Sequence, residues 1–210
     1  MKTRTIEEAE PPRRRSRAAG YTVVELAVVL ALVALLAGFG VPPLLDWAAQ
    51  VQLELAAAEA VSALRYARAE ASRRYEKVAV KFETGGSEVF WSLYADGDGD
   101  GVLNADIQRG VDPRLTPPRP LSYFGRRIRF GFPEGVRPRD PSSPSRRLEN
   151  LDDPIRFNRS DLASFGALGT ATPGSLYLTD GYRLVVVRVL NRTGRVRVLS
   201  WDRKADTWRG

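Results

Sequence analysis

The sequence predicts an α+β chain: a long N-terminal helix, membrane-spanning in its first half, packed on an antiparallel β-sheet or small β-sandwich head. Three observations predict it. Residues 26–45 (LAVVLALVALLAGFGVPPLL) run twenty positions without a charge, and as a helix such a run covers about 30 Å, the thickness of a bilayer core. Apolar residues then recur at spacings of three and four as far as Tyr75, and from Lys77 the apolar period shortens to two, which marks a change from helix to strand. Strands that follow one long helix, rather than alternating with helices, give the α+β pattern.

Composition narrows the chemistry. At 210 residues the chain has room for one domain of ordinary size and an appendage. It contains no His and no Cys, which excludes Ser-His-Asp and Cys-His catalysis, Cys/His zinc sites, thiol redox chemistry and disulfides. The net charge of +7 is almost entirely arginine, since Lys2, Lys77, Lys81 and Lys204 are the four lysines. Arginine favours bidentate pairing with carboxylate or phosphate.

Residues 1–20 are polar and basic, with Lys2, Arg4, Arg13, Arg14, Arg15 and Arg17 against three glutamates, and read as a solvated leader. The apolar helix of residues 21–45 follows, and by the positive-inside rule the leader stays cytoplasmic while the rest of the chain lies across the membrane. A secretory signal, a plain anchor and a buried core helix compete for this run. It is long for a signal-peptide core, and GFGVPPLLDW near its end offers no small-x-small cleavage site. Glu25 stands one turn inside the apolar helix, where an unpaired intramembrane charge costs about 2–3 kcal/mol or more. A charge kept at that cost calls for a partner.

The segment Gly20-Tyr21-Thr22-Val23-Val24-Glu25-Leu26, with its basic lead and apolar helix, resembles the N-terminal signal of type IV prepilins and type II secretion pseudopilins. The resemblance implies cleavage after Gly20 by a membrane prepilin peptidase, methylation of the new N-terminus at Tyr21 by the same enzyme, and a role for Glu25, the fifth mature residue, in filament assembly. Tyr21 departs mildly from the phenylalanine most often found there and keeps its aromatic character. Pro42 falls where many pilins have a helix-kinking proline. The physics agrees: a carboxylate on one helix can neutralise the free amine heading a neighbouring one.

Residues 46–76 continue the helix on an amphipathic pattern. Leu53, Ala57, Ala60, Leu64, Ala67, Ala71 and Tyr75 form a narrow stripe of mostly small side chains, with Arg65, Arg68, Glu70, Arg73 and Arg74 off it. Such a stripe lets a sheet approach closely. Residues 77–210 form the β-rich head. KVAVKFE (77–83) and EVFWSLY (88–94) read as a hairpin closed by a Gly-Gly turn. Further strands are expected at 126–132, 175–180, 183–190 and 195–202, and residues 133–154, rich in Pro, Ser and charge, read as an exposed loop. The helix segment Leu64–Ala71 and the closing strands, with Thr193-Gly194-Arg195-Val196-Arg197, are similar to the GspH/FimT-like branch of the pseudopilins. That similarity extends loosely over most of the mature chain.

Three stretches carry candidate chemistry. In loop 96–106, carboxylates alternate at Asp96, Asp98 and Asp100 with Gly101 at the sixth position, as in the first half of an EF-hand loop, so Ca²⁺ is the one candidate cofactor. The twelfth position is Ile107 where a bidentate glutamate is needed, so an ion has to recruit Asn104, Asp106, Asp112 or backbone carbonyls; the competing reading is a solvated Asp-Gly turn. Residues 165–174 (FGALGTATPG) lack the Gly-Lys-Ser/Thr ending of a phosphate loop and precede a strand, which makes them a turn. Residues 181–210 carry eight Lys/Arg against Asp202 and Asp206, a net charge of +6. Some FimT-like pilins bind DNA and carry Gly-Arg-x-Arg near the C-terminus. Gly194–Arg197 matches that pattern, making Arg195 and Arg197 candidate DNA contacts beside the plainer reading of an exposed strand.

The resemblance therefore implies a non-enzymatic, single-pass inner-membrane protein with a periplasmic or extracellular head. As a GspH-like minor pseudopilin of type II secretion its partners are the prepilin peptidase/methyltransferase, other pseudopilins or pilins, and an exported protein substrate. The alternatives are a FimT-like minor type IV pilin acting in pilus priming or DNA uptake, and a monomeric membrane-anchored calcium- or ligand-binding domain.

Overall fold

A computed structural model describes residues 20–86, 88–121, 128–190 and 193–210, and within the long helix it leaves aside the side chains of residues 40–42. The expected leader up to residue 19 and the Pro42 side chain fall outside the described set. The chain divides into two compact units, Met1–Leu44 and Leu45–Gly210.

Helix α1 (Val23–Arg74) is rich in Ala, Leu, Glu and Arg, the strongest helix formers. In the first unit its apolar side chains are exposed, Leu26, Leu30, Val33, Leu36 and Phe39 among them. This is the one helix among the described residues long and apolar enough to cross a membrane, and it is consistent with single-pass anchoring. In the second unit α1 buries Leu53, Ala56, Ala57, Ala60, Ala63, Leu64, Ala67 and Ala71, the predicted stripe widened by two alanines. Tyr75 is the exception, 76% exposed. The helix has ended at Arg74, and Tyr75 adopts the left-handed conformation (φ 58°) often used to close helices, which removes it from the helical stripe.

Among the described residues the head contains three antiparallel sheets. The first has the order β3-β2-β1-β8, from β1 (Val78–Gly85), β2 (Glu88–Ala95), β3 (Arg119–Pro120) and β8 (Leu162–Phe165). The second runs β12-β11-β10-β9-β4 with β7 also on β9, from β4 (Arg129–Phe130), β7 (Ile155–Arg156), β9 (Gly174–Thr179), β10 (Leu184–Leu190), β11 (Arg195–Asp202) and β12 (Thr207–Arg209). A small hairpin pairs β5 (Arg139–Asp140) with β6 (Ser143–Arg147). A short helix, α2 (Asn104–Arg109), follows the acidic turn.

One hydrophobic cluster joins the α1 stripe to Val78, Val80 and Phe82 of β1, Trp91 and Leu93 of β2, and Val185, Val187 and Val189 of β10. Phe82 bridges the two large sheets, edge-on to Phe130 at 5.9 Å and stacked with Phe157 at 6.3 Å. Each of the two large sheets is also covered on its outer face. Val102 and Ile107 pack over Ala79, Tyr94 and Leu162, while Leu148, Leu151 and Phe132 pack over Tyr177, Leu184 and Val186. Strands buried on both faces read as continuous apolar runs, which accounts for LVVV at the start of β10.

Several expectations need correction. The hairpin turn starts one residue later than read, because Gly85 still pairs with Glu88 and the reversal begins at Gly86 (φ 65°). The stretch 133–154 is not simply an exposed loop: it forms the β5–β6 hairpin and buries Leu148, whose partner is the outer face of the six-stranded sheet. Strand 126–132 shrinks, among described residues, to Arg129–Phe130. The turn read at 165–174 is present, closed by Gly166 N–H to the Thr170 carbonyl at 2.8 Å.

The burial of the α1 stripe is testable. Ala60→Leu is expected to destabilise the head by about 1–3 kcal/mol through overpacking, whereas Ala58→Leu on the exposed side stays within about 0.5 kcal/mol, both read by urea unfolding followed through tryptophan fluorescence.

Candidate functional site

At the N-terminal signal, Thr22 Oγ1 accepts the Glu25 N–H at 3.1 Å and Glu25 Oε2 accepts the Thr22 N–H at 3.4 Å. This reciprocal pair is a capping box, with Thr22 immediately before α1 and Glu25 in its first turn. Glu25 therefore has a partner on its own helix, a use that sequence reasoning missed although Thr-x-x-Glu spells it out. Gly20 and Tyr21 precede the helix and are exposed, with no atom within 4 Å of a Cβ built on Gly20.

The acidic loop connects β2 to α2. Its three aspartates, with Asp106 of α2 and Asp112 beyond it, form two overlapping groups, Asp96/Asp98/Asp112 and Asp98/Asp100/Asp106, each with carboxylate oxygens within 4.8 Å of one another. They are not equivalent. Asp112, 2% exposed, accepts the Gly97 N–H at 3.0 Å and the Leu103 N–H at 2.9 Å, and Asp96 accepts the Gly99 N–H at 2.7 Å. Lys77 Nζ lies 3.7 Å from the other Asp96 oxygen. These two carboxylates frame the backbone, and Gly97 is required because a side chain there would strike the Val111 carbonyl. The second group is less committed. Asp98 and Asp100 are exposed, and desolvation, followed by the hydrogen bond and charge of Asp98, pushes the Asp100 carboxyl above its ordinary value. Asp106 is buried and accepts from Arg109 through one oxygen. Asn104 donates to the Ser160 carbonyl at 2.7 Å, and its buried Oδ1 has no hydrogen-bond partner.

The departure from an EF-hand pattern has a structural reason. Ile107, where a glutamate is needed, packs on the outer-face cluster of the four-stranded sheet, and the carboxylate grouped with Asp98 and Asp100 is that of Asp106, one residue earlier.

In the basic C-terminal stretch most described cations are engaged within the chain. Arg183 pairs with Asp46 at 2.6 Å and Asp180 at 3.0 Å, and Arg209 pairs with Asp202 at 2.6 Å. Arg188 donates to the Pro141 carbonyl and Ser142 Oγ, and Arg203 lies over Tyr182 at 4.7 Å. The Ala205 and Lys204 N–H groups, with Arg209 close by, hold Asp202 below the usual carboxylate value. Desolvation works to raise Asp206, but hydrogen bonds from Arg139 and Arg147 outweigh it and leave that carboxyl lowered. Arg195 and Arg197 are exposed on β11 with half-buried Val196 between them, so both project from one face. Arg192 is outside the described residues.

The family model for type II transport protein GspH matches residues 56–194. The chain belongs to the GspH family. The match takes in α1 from Ala56 onward, the acidic loop and the strands from β1 to β10. No curated protein and no solved structure matches the chain. At family level a GspH protein is a pseudopilin of type II secretion, and family membership implies other pseudopilins in a filament as its partners.

The framing role of Asp112 gives a prediction. Asp112→Ala in this GspH chain leaves the Gly97 and Leu103 N–H groups without their acceptor, and is expected to lower stability by at least about 2 kcal/mol. Hydrogen exchange at those two amides should rise in parallel.

Proposed function

We propose that this GspH protein is a non-catalytic minor subunit of a type II secretion pseudopilus, processed after Gly20, methylated on Tyr21 and assembled through its N-terminal helix with the head outside the cytoplasm. The observation that carries this reading is the apolar first half of α1, whose side chains from Val23 to Phe39 are all exposed. Such a surface needs lipid or other helices around it. Glu25 is the polar exception, and pairing with the amine of a neighbouring Tyr21 neutralises both charges in that apolar setting. The prepilin peptidase/methyltransferase is the processing partner, the inner membrane the site of insertion, and an exported protein the cargo. Mass spectrometry of the membrane-extracted protein is expected to show Tyr21 as a methylated N-terminus. Intact residues 1–20 in cells with active prepilin peptidase would instead favour a monomeric anchored domain.

The capping box allows a sharper test of Glu25. Glutamine also serves in a capping box, so Glu25→Gln keeps the helix start while removing the charge, and Thr22→Ala does the reverse at a cost of about 1 kcal/mol. Filament incorporation, read by crosslinking to neighbouring pseudopilins, is expected to fail in Glu25→Gln and to survive in Thr22→Ala. The opposite pattern would leave Glu25 a cap alone.

The shared face of Arg195 and Arg197 favours one second reading, a FimT-like pilin that contacts DNA phosphates. In that case duplex binding falls with salt at a log–log slope of about −0.9 per neutralised phosphate, and Arg195→Ala with Arg197→Ala flattens it. A secretion pseudopilin shows negligible binding at physiological salt, which is the expected result.

A further inference from the structure

We infer that Asp98, Asp100 and Asp106 form a Ca²⁺ site on the head, with Asp106 as its buried corner and the two exposed aspartates as its mouth. This goes beyond the filament reading and is independent of it: a chain that never assembles can still bind the ion.

The three carboxylates each present an oxygen within 4.8 Å of the others, a spacing that allows one cation to touch all three. Acidic side chains gather on many surfaces, and the decisive observation concerns Asp106. It is 1% exposed, and while one of its oxygens accepts from Arg109, the other, Oδ2, is buried with no hydrogen-bond partner. A buried carboxylate oxygen without a donor is costly, and a bound cation removes that cost directly.

The neighbouring group Asp96/Asp98/Asp112 is the poorer candidate. Asp96 and Asp112 already accept three backbone N–H groups between them, and Lys77 supplies a cation beside Asp96. Arg109, in contrast, reaches Asp106 from a largely exposed side chain and does not occupy Asp98 or Asp100 in any hydrogen bond or ion pair among the described residues.

Ligand chemistry selects the ion. All three donors are carboxylate oxygens, which suits hard cations. Ca²⁺ takes six to eight oxygens in flexible geometry, whereas Mg²⁺ demands near-ideal octahedral coordination and dehydrates reluctantly. Two of the three donors sit on an exposed Asp-Gly turn, a setting that tolerates irregular coordination and leaves the outer side open to water. With few protein ligands, affinity belongs in the range of extracellular modules, a Kd on the order of 10⁻⁴–10⁻³ M.

The test uses the full chain in detergent, stripped with EDTA and desalted, then titrated with CaCl₂ alone. Calorimetry is expected to show one Ca²⁺ per chain, and thermal unfolding should shift upward at about 10 mM Ca²⁺ by more than with the same Mg²⁺. Asp98→Asn with Asp100→Asn should weaken Ca²⁺ binding by at least about tenfold while leaving the EDTA melting temperature unchanged or higher, since both side chains are exposed and a like-charge contact is relieved. Asp106→Asn should also lose binding. Absence of a Ca²⁺-dependent heat or shift at about 10 mM, an equal response to Mg²⁺, or Ca²⁺ binding untouched by the double substitution would each overturn the site.

Discussion

The head is organised by the burial of α1 against its sheets, through a stripe made mostly of alanine. Six of the eight buried positions on the second half of α1 are Ala, and two are Leu. The small side chains of the helix share one cluster with larger groups from the rest of the head: Phe82, Trp91, Leu93 and Phe157. Interiors pack at crystal-like density, so the volume missing from the helix must be supplied by the sheets. Trp91 also reaches Glu59 of α1 through its indole N–H at 3.2 Å, a polar tie at the edge of an apolar contact.

The outer faces explain the loops. Each large sheet turns one side to the common core and carries a second apolar layer on the other, covered by the segments that lead into and out of it. The acidic turn is thereby fastened to the four-stranded sheet by Val102 and Ile107. The β5–β6 hairpin is held over the six-stranded sheet by Arg139 and Arg147 on Asp206, at 2.8 and 3.0 Å, and by Arg188 on Pro141 and Ser142. Among the described residues, these arginines serve as internal fastening.

What the sequence made legible follows the strength of its periodic signals. The α1 stripe, the first hairpin and the strands β9, β10 and β11 were readable because their apolar periods are long and unbroken. Two- to four-residue strands such as β3, β7 and β8 were not, since so short a piece has no period and exists only because a neighbouring strand offers hydrogen bonds. Tyr75 kept its place in the helical count but lost it in space, because a backbone reversal of hand at a helix end leaves no mark in apolar spacing. At the acidic loop the carboxylates were visible, and their division into framing and uncommitted groups was not. That division depends on which backbone N–H groups the fold turns toward Asp112 and Asp96. The capping box at Thr22 and Glu25 was fully legible and was eclipsed by the more specific processing motif laid over the same residues.

The ends of the sheets bear on solubility. An open sheet edge offers unpaired amides and carbonyls on which a foreign strand can crystallise. Here the four-stranded sheet closes at one side with β3, two residues long and ending in Pro120, and the six-stranded sheet closes with β12, three residues ending in Arg209. Along the far side of β9 the backbone is taken by two separate fragments, β4 and β7. At these positions proline, charge and brevity shorten the ladder open to an incoming β-strand, while on the outer side of β11 pairing with β12 covers only Ser200–Asp202.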